Sequence, residues 1–259
     1  MALYVFDMDG VLWAMEDPIP HGAETVERLR LRGERVYFLT NNSTRSREDY
    51  VAKLGRFGIR AEVSQVMTSA HATALVLRSE GAAGRHVYVV GERGLIAELE
   101  GAGLRVVPYR EGDRVDYVVV GWDRSFTYQK LAEAHGAIVR GGAQFIATNR
   151  DATYPDSGGR TLPGGGSLVA AVATAAGVAP RTIGKPEPHA LDLILREAGV
   201  PPEQCIVVGD RLDTDIALGK RAGARTVLVL TGVSTESDVA EAPASLRPDT
   251  VLHTLADLP

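Results

Sequence analysis

Short, nearly uninterrupted apolar runs alternate along this chain with stretches whose apolar positions recur every three or four residues. The runs at 2–6, 35–39, 86–90, 117–120, 145–148, 206–209 and 226–230 are rich in β-branched and aromatic residues. Most are bounded by glycine, asparagine or aspartate. Such runs predict strands buried on both faces, as in parallel sheets. Weaker strand signals lie at 66–68 and 104–107. Helical spacing is read at 22–32, with Val26 and Leu29 facing inward and Gly33 as the stop. It is read again after Ser46-x-x-Asp49, a capping-box pattern, with Tyr50, Leu54 and Phe57 on one face and Gly58 at the end. Further helices are predicted at 70–78, 95–99, 128–140, 167–176 and 188–198, and another stops near Gly223. Strand and helix alternate almost throughout, which predicts an α/β chain. Around Gly81-Ala-Ala-Gly84 the pattern starts afresh, so the middle third reads as a second α/β unit with its own sheet. The predicted organisation is a core domain over 1–79 and 179–259 with an inserted α/β domain over 80–178.

Open α/β sheets place their ligands beyond the carboxyl ends of their strands, so polar residues at those ends carry weight. The first run ends in Asp7-Met8-Asp9-Gly10. Two carboxylates there repel each other unless a cation or a shared proton separates them. A hard, oxygen-seeking ion such as Mg²⁺ resolves the repulsion with few protein ligands and leaves positions for water and a phosphate. Gly10 lets the backbone turn sharply and approach a ligand closely. The run at 35–39 ends in Thr40-Asn41-Asn42, a hydroxyl and two amides suited to phosphate oxygens. The helix beginning beyond it directs its amides toward the same mouth. Lys185 lies in Gly-Lys-Pro, and the run at 206–209 opens into Asp210-Arg-Leu-Asp213-Thr-Asp215. The glycine-rich stretch at 154–166 lacks the lysine of a P-loop and reads as a substrate-covering loop rather than a plain connector.

Composition narrows the classes. Of 259 residues, 45% are hydrophobic and 24% charged, as in an ordinary globular protein. A formal charge of −5 gives no electrostatic footprint for nucleic acid. No apolar run approaches the roughly 20 residues of a membrane span. The chain enters its first strand with no basic segment before it, so no secretory leader and a cytoplasmic setting are expected. Cys205 is the only cysteine and abuts an apolar run, which predicts a core thiol and neither a disulfide nor a thiolate metal cluster. The six histidines form no HExxH pair, and no P-loop or G-x-S-x-G elbow occurs. These absences remove the common NTPase and serine-hydrolase readings.

Taken together, the clusters Asp7/Asp9, Thr40/Asn41, Lys185 and Asp210/Asp215 resemble the four ordered motifs of the haloacid dehalogenase superfamily of phosphatases. Asp-Met-Asp-Gly-Val-Leu is similar to the first motif, Thr40-Asn41 to the second, Lys185 to the third and Gly-Asp-Arg-Leu-Asp-Thr-Asp to the fourth. The insertion resembles the C2-type cap of subfamily IIA, with its NagD-like, p-nitrophenyl phosphatase-like and phosphoglycolate phosphatase-like enzymes. The resemblance implies a Rossmann-like, doubly wound parallel sheet core with an inserted α/β (C2) cap domain. It also implies an Mg²⁺-dependent phosphatase of small-molecule phosphomonoesters that forms an aspartyl-phosphate on Asp7. Asp9 would be the general acid and base. Asp7, the main-chain carbonyl of Asp9, and Asp210 would bind Mg²⁺, with Asp215 behind them on a metal water or Lys185. Thr40 and the amide of Asn41 would orient the phosphoryl group, and Lys185 would neutralise charge. Asp213 receives no firm role. Asn42, Asn149 and Asp151 are candidate substrate-binding residues, the last two beside Thr148 at a strand end of the insertion. A homodimer through the cap fits the family, and neither nucleic acid nor membrane is an expected partner. The second aspartate argues against the metal-free dehalogenases, and the size of the insertion against the phosphomutases. A phosphotransferase or phosphomutase, or a non-catalytic protein binding Mg²⁺ and phosphate on the same fold, are the alternatives.

Overall fold

The buried apolar runs pair side by side, as their two-sided burial requires. A computed structural model describes residues 1–155 and 160–259. The described chain divides into two compact units, one of Met1–Thr40, Arg47–Met67 and Lys185–Pro259, the other of Asn41–Ser46 and Thr68–Gly184. Element numbers follow the chain.

The first unit contains β1 (Leu3–Asp7), the hairpin strands β2 (Trp13–Ala14) and β3 (Asp17–Pro18), α1 (Gly22–Leu31), β4 (Arg35–Thr40), α2 (Arg47–Arg56) and β5 (Val66–Thr68). It resumes with α7 (His189–Ala198), β13 (Cys205–Gly209), α8 (Ala217–Ala222), β14 (Arg225–Val229), α9 (Glu236–Glu241) and β15 (Thr250–Leu252). The sheet order is β15-β14-β13-β1-β4-β5. β1 pairs in parallel with β4 on one side and β13 on the other, Val5 lying opposite Tyr37 and Val207. From β1 the chain winds outward one way to β5 and later the other way to β15. The order therefore reverses at β1 and β13, and the crevice beyond their carboxyl ends is the topological switch point where such sheets bind ligands. Leu3, Val5 and Phe6 are wholly buried, and α1 packs inward with Val26 and Leu29, in the positions its spacing predicts. Each such side chain contributes about 1.5–3 kcal/mol by leaving water.

The second unit contains α3 (Ser69–Ser79), β6 (His86–Val90), α4 (Arg93–Gly101), β7 (Arg105–Val106), β8 (Tyr117–Val120), α5 (Tyr128–Val139), β9 (Gln144–Ala147), β10 (Thr153–Pro155), β11 (Thr161–Pro163), α6 (Gly165–Ala176) and β12 (Arg181–Thr182). Its parallel sheet runs β12-β9-β8-β6-β7. Val90, Val118, Val120 and Ala147 form its core with Ala134 and Ala137 of α5 and Val172 of α6. Helix α3 opens on Thr68, whose hydroxyl accepts the His71 N–H at 3.0 Å. His71 Nδ1 meets Glu98 Oε2 of α4 at 2.7 Å.

Two stretches outside the predicted strands carry strands, one of them in the 154–166 stretch read as a loop. Trp13 pairs with Pro18, and Tyr154 with Leu162. Strands of two or three residues are too short to display a period of two, and proline at their edges masks them further. Residues 156–159, within the 154–166 stretch predicted to cover the substrate, lie outside the described residues. Among the described residues no helix is long and apolar enough to cross a membrane.

Candidate active site

At the switch point β1 delivers Asp7 and β13 delivers Asp210, side by side at the carboxyl ends of neighbouring strands. Asp215 follows on a π-helical turn, Leu212–Ile216, in which the Ile216 N–H donates to the Arg211 carbonyl at 3.2 Å. This wide turn directs Asp215 inward. Asp213 lies at the surface, where Arg211 grips it through Nε (3.1 Å) and Nη2 (3.0 Å). Gly209 is required by the same turn, because a Cβ there would collide with the Asp215 side chain.

Lys185 opens the returning part of the first unit, and its peptide to Pro186 is cis. Buried to 3% exposure, its Nζ donates to Asp215 Oδ1 at 2.6 Å and lies 2.8 Å from Asp7 Oδ1. Asp215 Oδ2 accepts the Arg211 N–H at 3.1 Å, and Asp210 Oδ2 accepts the Val233 N–H at 2.7 Å. Asp7, Asp210 and Asp215 each present an oxygen within 4.8 Å of the others. With all three ionised, the carboxylates outweigh the one lysine and leave the cluster negative. Burial pushes Asp7 well above the usual carboxylate range; Lys185 opposes the rise, and Asp215 and Asp210 add to it. Burial and then Asp215 raise Asp210 to about 7, against the Val233 N–H and Lys185. Burial alone would lower Lys185, but Asp215 and Asp7 overcome it and hold the ammonium above its ordinary value.

The donor set fits a hard divalent cation. Among the described residues Asp210 Oδ1 is buried with no hydrogen-bond partner, a costly state for a carboxylate oxygen unless a positive group meets it. Hard carboxylate oxygens around excess negative charge suit Mg²⁺.

Asp9 is half-buried, and its Oδ1 accepts the Trp13 Nε1–H at 2.9 Å. Gly10, at φ 83°, permits the intervening turn, and any Cβ on it would strike the Asp210 carboxylate. Thr40 ends β4 and is buried. Asn41 follows it in sequence but belongs to the second unit, whose residues hold it firmly. Its Nδ2 donates to Asp151 Oδ1 and Oδ2 at 3.0 and 3.1 Å. Its carbonyl accepts Asn149 Nδ2 at 2.7 Å and the Ser69 hydroxyl at 2.5 Å. Asn149 Oδ1 in turn accepts the Asp151 N–H at 3.0 Å. Asn42 Oδ1 accepts the N–H and hydroxyl of Thr44, closing an Asx turn. The structure therefore brings Asp7, Lys185, Asp210 and Asp215 together at the switch point, and gathers Asn41, Asn149 and Asp151 within the second unit.

Sequence reasoning missed Thr231-Gly-Val-Ser234, the loop after β14. Thr231 Oγ1 donates to the Gly10 carbonyl at 2.7 Å, Ser234 Oγ accepts the Leu212 N–H at 3.1 Å, and the Ser234 N–H donates to the Asp210 carbonyl at 3.0 Å. A Cβ on Gly232 would overlap the Asp210 carboxylate. The signal was available: this is another strand's carboxyl end, marked by a glycine.

A doubly wound core with this switch-point cluster, interrupted by a second parallel-sheet domain, is the architecture of the cap-bearing haloacid dehalogenase class. Residues 4–105 match the haloacid dehalogenase-like hydrolase family, and residues 182–258 match a second HAD-like hydrolase family. The chain is 38% identical to glycerol-3-phosphate phosphatase of Homo sapiens, over 98% of this chain and 88% of that protein. It is 40% identical to chronophin of Mus musculus, over 98% and 90%. Among solved structures it resembles p-nitrophenyl phosphatase from Archaeoglobus fulgidus, with a TM-score of 0.90 and 36% identity over 99% and 97% of the two chains. It also resembles the glycerol phosphate phosphatase of Mycobacterium tuberculosis in complex with magnesium, with a TM-score of 0.91 and 37% identity over 99% and 76%. This chain belongs to the haloacid dehalogenase-like hydrolase family.

Proposed function

We propose that this protein is an Mg²⁺-dependent phosphatase that hydrolyses small-molecule phosphomonoesters through an aspartyl-phosphate on Asp7. The observation that carries the reading is the buried Asp7 carboxylate at the switch point, 2.8 Å from the Lys185 ammonium and beside two further carboxylates. Three of the relatives named above, two glycerol phosphate phosphatases and a p-nitrophenyl phosphatase, support the same reaction class.

A phosphoester dianion repels a carboxylate nucleophile, so attack needs charge neutralisation in a site that excludes water. Lys185 supplies a fixed positive charge beside Asp7. Asp7, Asp210 and the main-chain carbonyl of Asp9 are assigned as Mg²⁺ ligands, with Asp215 behind them on Lys185. The ion, when bound, neutralises phosphate charge and lowers the repulsion that Asp7 must overcome. Asp7 attacks phosphorus as the bond to the ester oxygen breaks, and Asp9 protonates the departing alkoxide. Asp9 then takes a proton from water as that water attacks the aspartyl-phosphate, releasing phosphate and restoring Asp7. Thr40 and the Asn41 amide orient the phosphoryl oxygens. Asn149 and Asp151 act through Asn41, which they hold, and Asn42 closes the turn that follows. A homodimer through the inserted domain and a cytoplasmic setting belong to the same proposal. The family resemblance supports the first, and a single buried thiol suits the second.

The test is phosphate release from p-nitrophenyl phosphate and a panel of small phosphoesters, with Mg²⁺ and with EDTA, beside Asp7→Asn. Metal-dependent turnover that disappears in the variant is expected. A folded wild type that binds Mg²⁺ and turns over nothing on the panel would favour a non-catalytic binding protein. Light scattering of the purified chain tests the dimer, and a monomer at working concentration refutes it.

A further inference from the structure

Asp9 is held by a residue that no motif includes. After β1 the backbone turns tightly, with the Leu12 N–H donating to the Met8 carbonyl at 2.9 Å and the Gly10 N–H to the Trp13 carbonyl at 2.8 Å. The turn brings Trp13 beside Asp9 in a parallel bridge, and the indole Nε1–H donates to Asp9 Oδ1 at 2.9 Å. Trp13 is completely buried. Its ring is immobilised by residues of α2 and the turn that follows it. Tyr50 stacks on it at 6.5 Å and 12°, and Phe57 packs at 5.7 Å and 50°. Lys53 Nζ lies 4.6 Å from the ring centroid and is anchored by the Met15 carbonyl at 2.6 Å.

A buried indole needs an acceptor for its N–H, and any nearby carbonyl would satisfy a ring that served only for packing. Here the acceptor is the carboxylate assigned to proton transfer. Indole nitrogen is a donor only, so the contact pins one carboxylate oxygen and thereby sets the rotation of the group. Proton transfer requires that setting, because a displacement of about 1 Å at a reacting group costs up to about a hundredfold in rate.

We propose that Trp13 is a positioning residue for Asp9. Its indole N–H orients the carboxylate for proton transfer to the leaving group and from water, and the cage built by Tyr50, Lys53 and Phe57 holds the indole. This rests on the phosphatase reading above.

Trp13→Phe keeps an aromatic ring in the cage and removes the N–H. Its kcat/KM on an alkyl phosphomonoester should fall about ten- to a hundredfold. The fall should be smaller on p-nitrophenyl phosphate, whose leaving phenolate needs little protonation. In an Asp9→Asn background the same change should cost less than about twofold, because its route of action is already gone. A ring that served only for packing would lower both substrates equally and add its full cost in both backgrounds, which would overturn the proposal. A second readout is independent of turnover. Trp13 and Trp122 are the two tryptophans, so the ¹H–¹⁵N spectrum holds two indole signals, and Trp13→Phe identifies which is Trp13. Asp9→Asn should shift the Trp13 signal and leave that of Trp122 in place. An unmoved Trp13 signal in an active enzyme refutes the contact alone. A shifted signal in a wild type that hydrolyses no phosphoester refutes the phosphatase reading, and with it the catalytic sense of the contact.

Discussion

Asp215→Asn removes one negative charge from the buried cluster while preserving its shape. Lys185 Nζ divides itself between Asp215 Oδ1 at 2.6 Å and Asp7 Oδ1 at 2.8 Å, and Asp215 Oδ2 accepts the Arg211 N–H at 3.1 Å. Asparagine offers one acceptor oxygen for these two donors. If it serves Lys185, the Arg211 N–H faces an amide NH₂ and loses its partner. A charge-assisted hydrogen bond weakened to a neutral one costs about 1 kcal/mol, and an orphaned N–H about 1–3 kcal/mol. Relief of repulsion with Asp7 and Asp210 offsets part of this, and Lys185 keeps its pairing with Asp7. The net expectation for the metal-free protein at pH 7 is a loss of about 2 kcal/mol, below the 3–5 kcal/mol of a buried charge stripped of every partner. Mg²⁺ should also stabilise the variant less than the wild type, because the cluster it would neutralise carries less negative charge. Urea unfolding with EDTA and with saturating Mg²⁺ measures both quantities. A variant as stable as wild type without metal, and gaining as much from Mg²⁺, would refute the electrostatic account of the cluster.

Three further outcomes follow from the same geometry. Asp210 folds with its pKa raised to about 7 and Asp7 with a raised one, so the metal-free native state binds more protons than the unfolded chain above pH 4. Stability contributed by these groups is full below the unfolded carboxylate pKa and lost as pH rises through the folded one. The urea midpoint in EDTA should therefore fall between pH 5 and pH 8, and a rise would contradict the assignment. Gly232→Ala drives a methyl group into the Asp210 carboxylate and should weaken Mg²⁺ binding at least about tenfold, measured by calorimetry; unchanged affinity would remove Asp210 from the metal site. Asn149→Ala frees the Asn41 carbonyl from its 2.7 Å donor and should raise KM several-fold with the fold retained. Unchanged kcat and KM on every substrate would sink the role given to Asn149.

Much of this protein was legible in one dimension. Burial on both faces writes itself as short apolar runs, helices write themselves as spaced ones, and the chemistry of an α/β sheet collects where its strands stop. Asp7, Asp9, Thr40, Asn41, Lys185, Asp210 and Asp215 read as candidates on those local grounds together with a family resemblance. Tertiary structure alone decided which strand ends are neighbours. Nothing local says that β13, some two hundred residues downstream, lies against β1, yet that pairing sets Asp210 beside Asp7. Nor does spacing tell Asp213 from Asp215. A π-helical turn sends one to solvent and the other to Lys185 because only the second has a buried cation to meet. Asn149 and Asp151 reach Asn41 across about a hundred residues, and Thr231-Gly-Val-Ser234 closes on Asp210 from the end of the neighbouring strand β14. Even Trp13, four residues from Asp9, shows its purpose only once the turn and α2 have fixed its ring. Periodicity records which residues leave water. Partners are chosen by long-range packing and by the need of each buried charge and donor to find its counterpart.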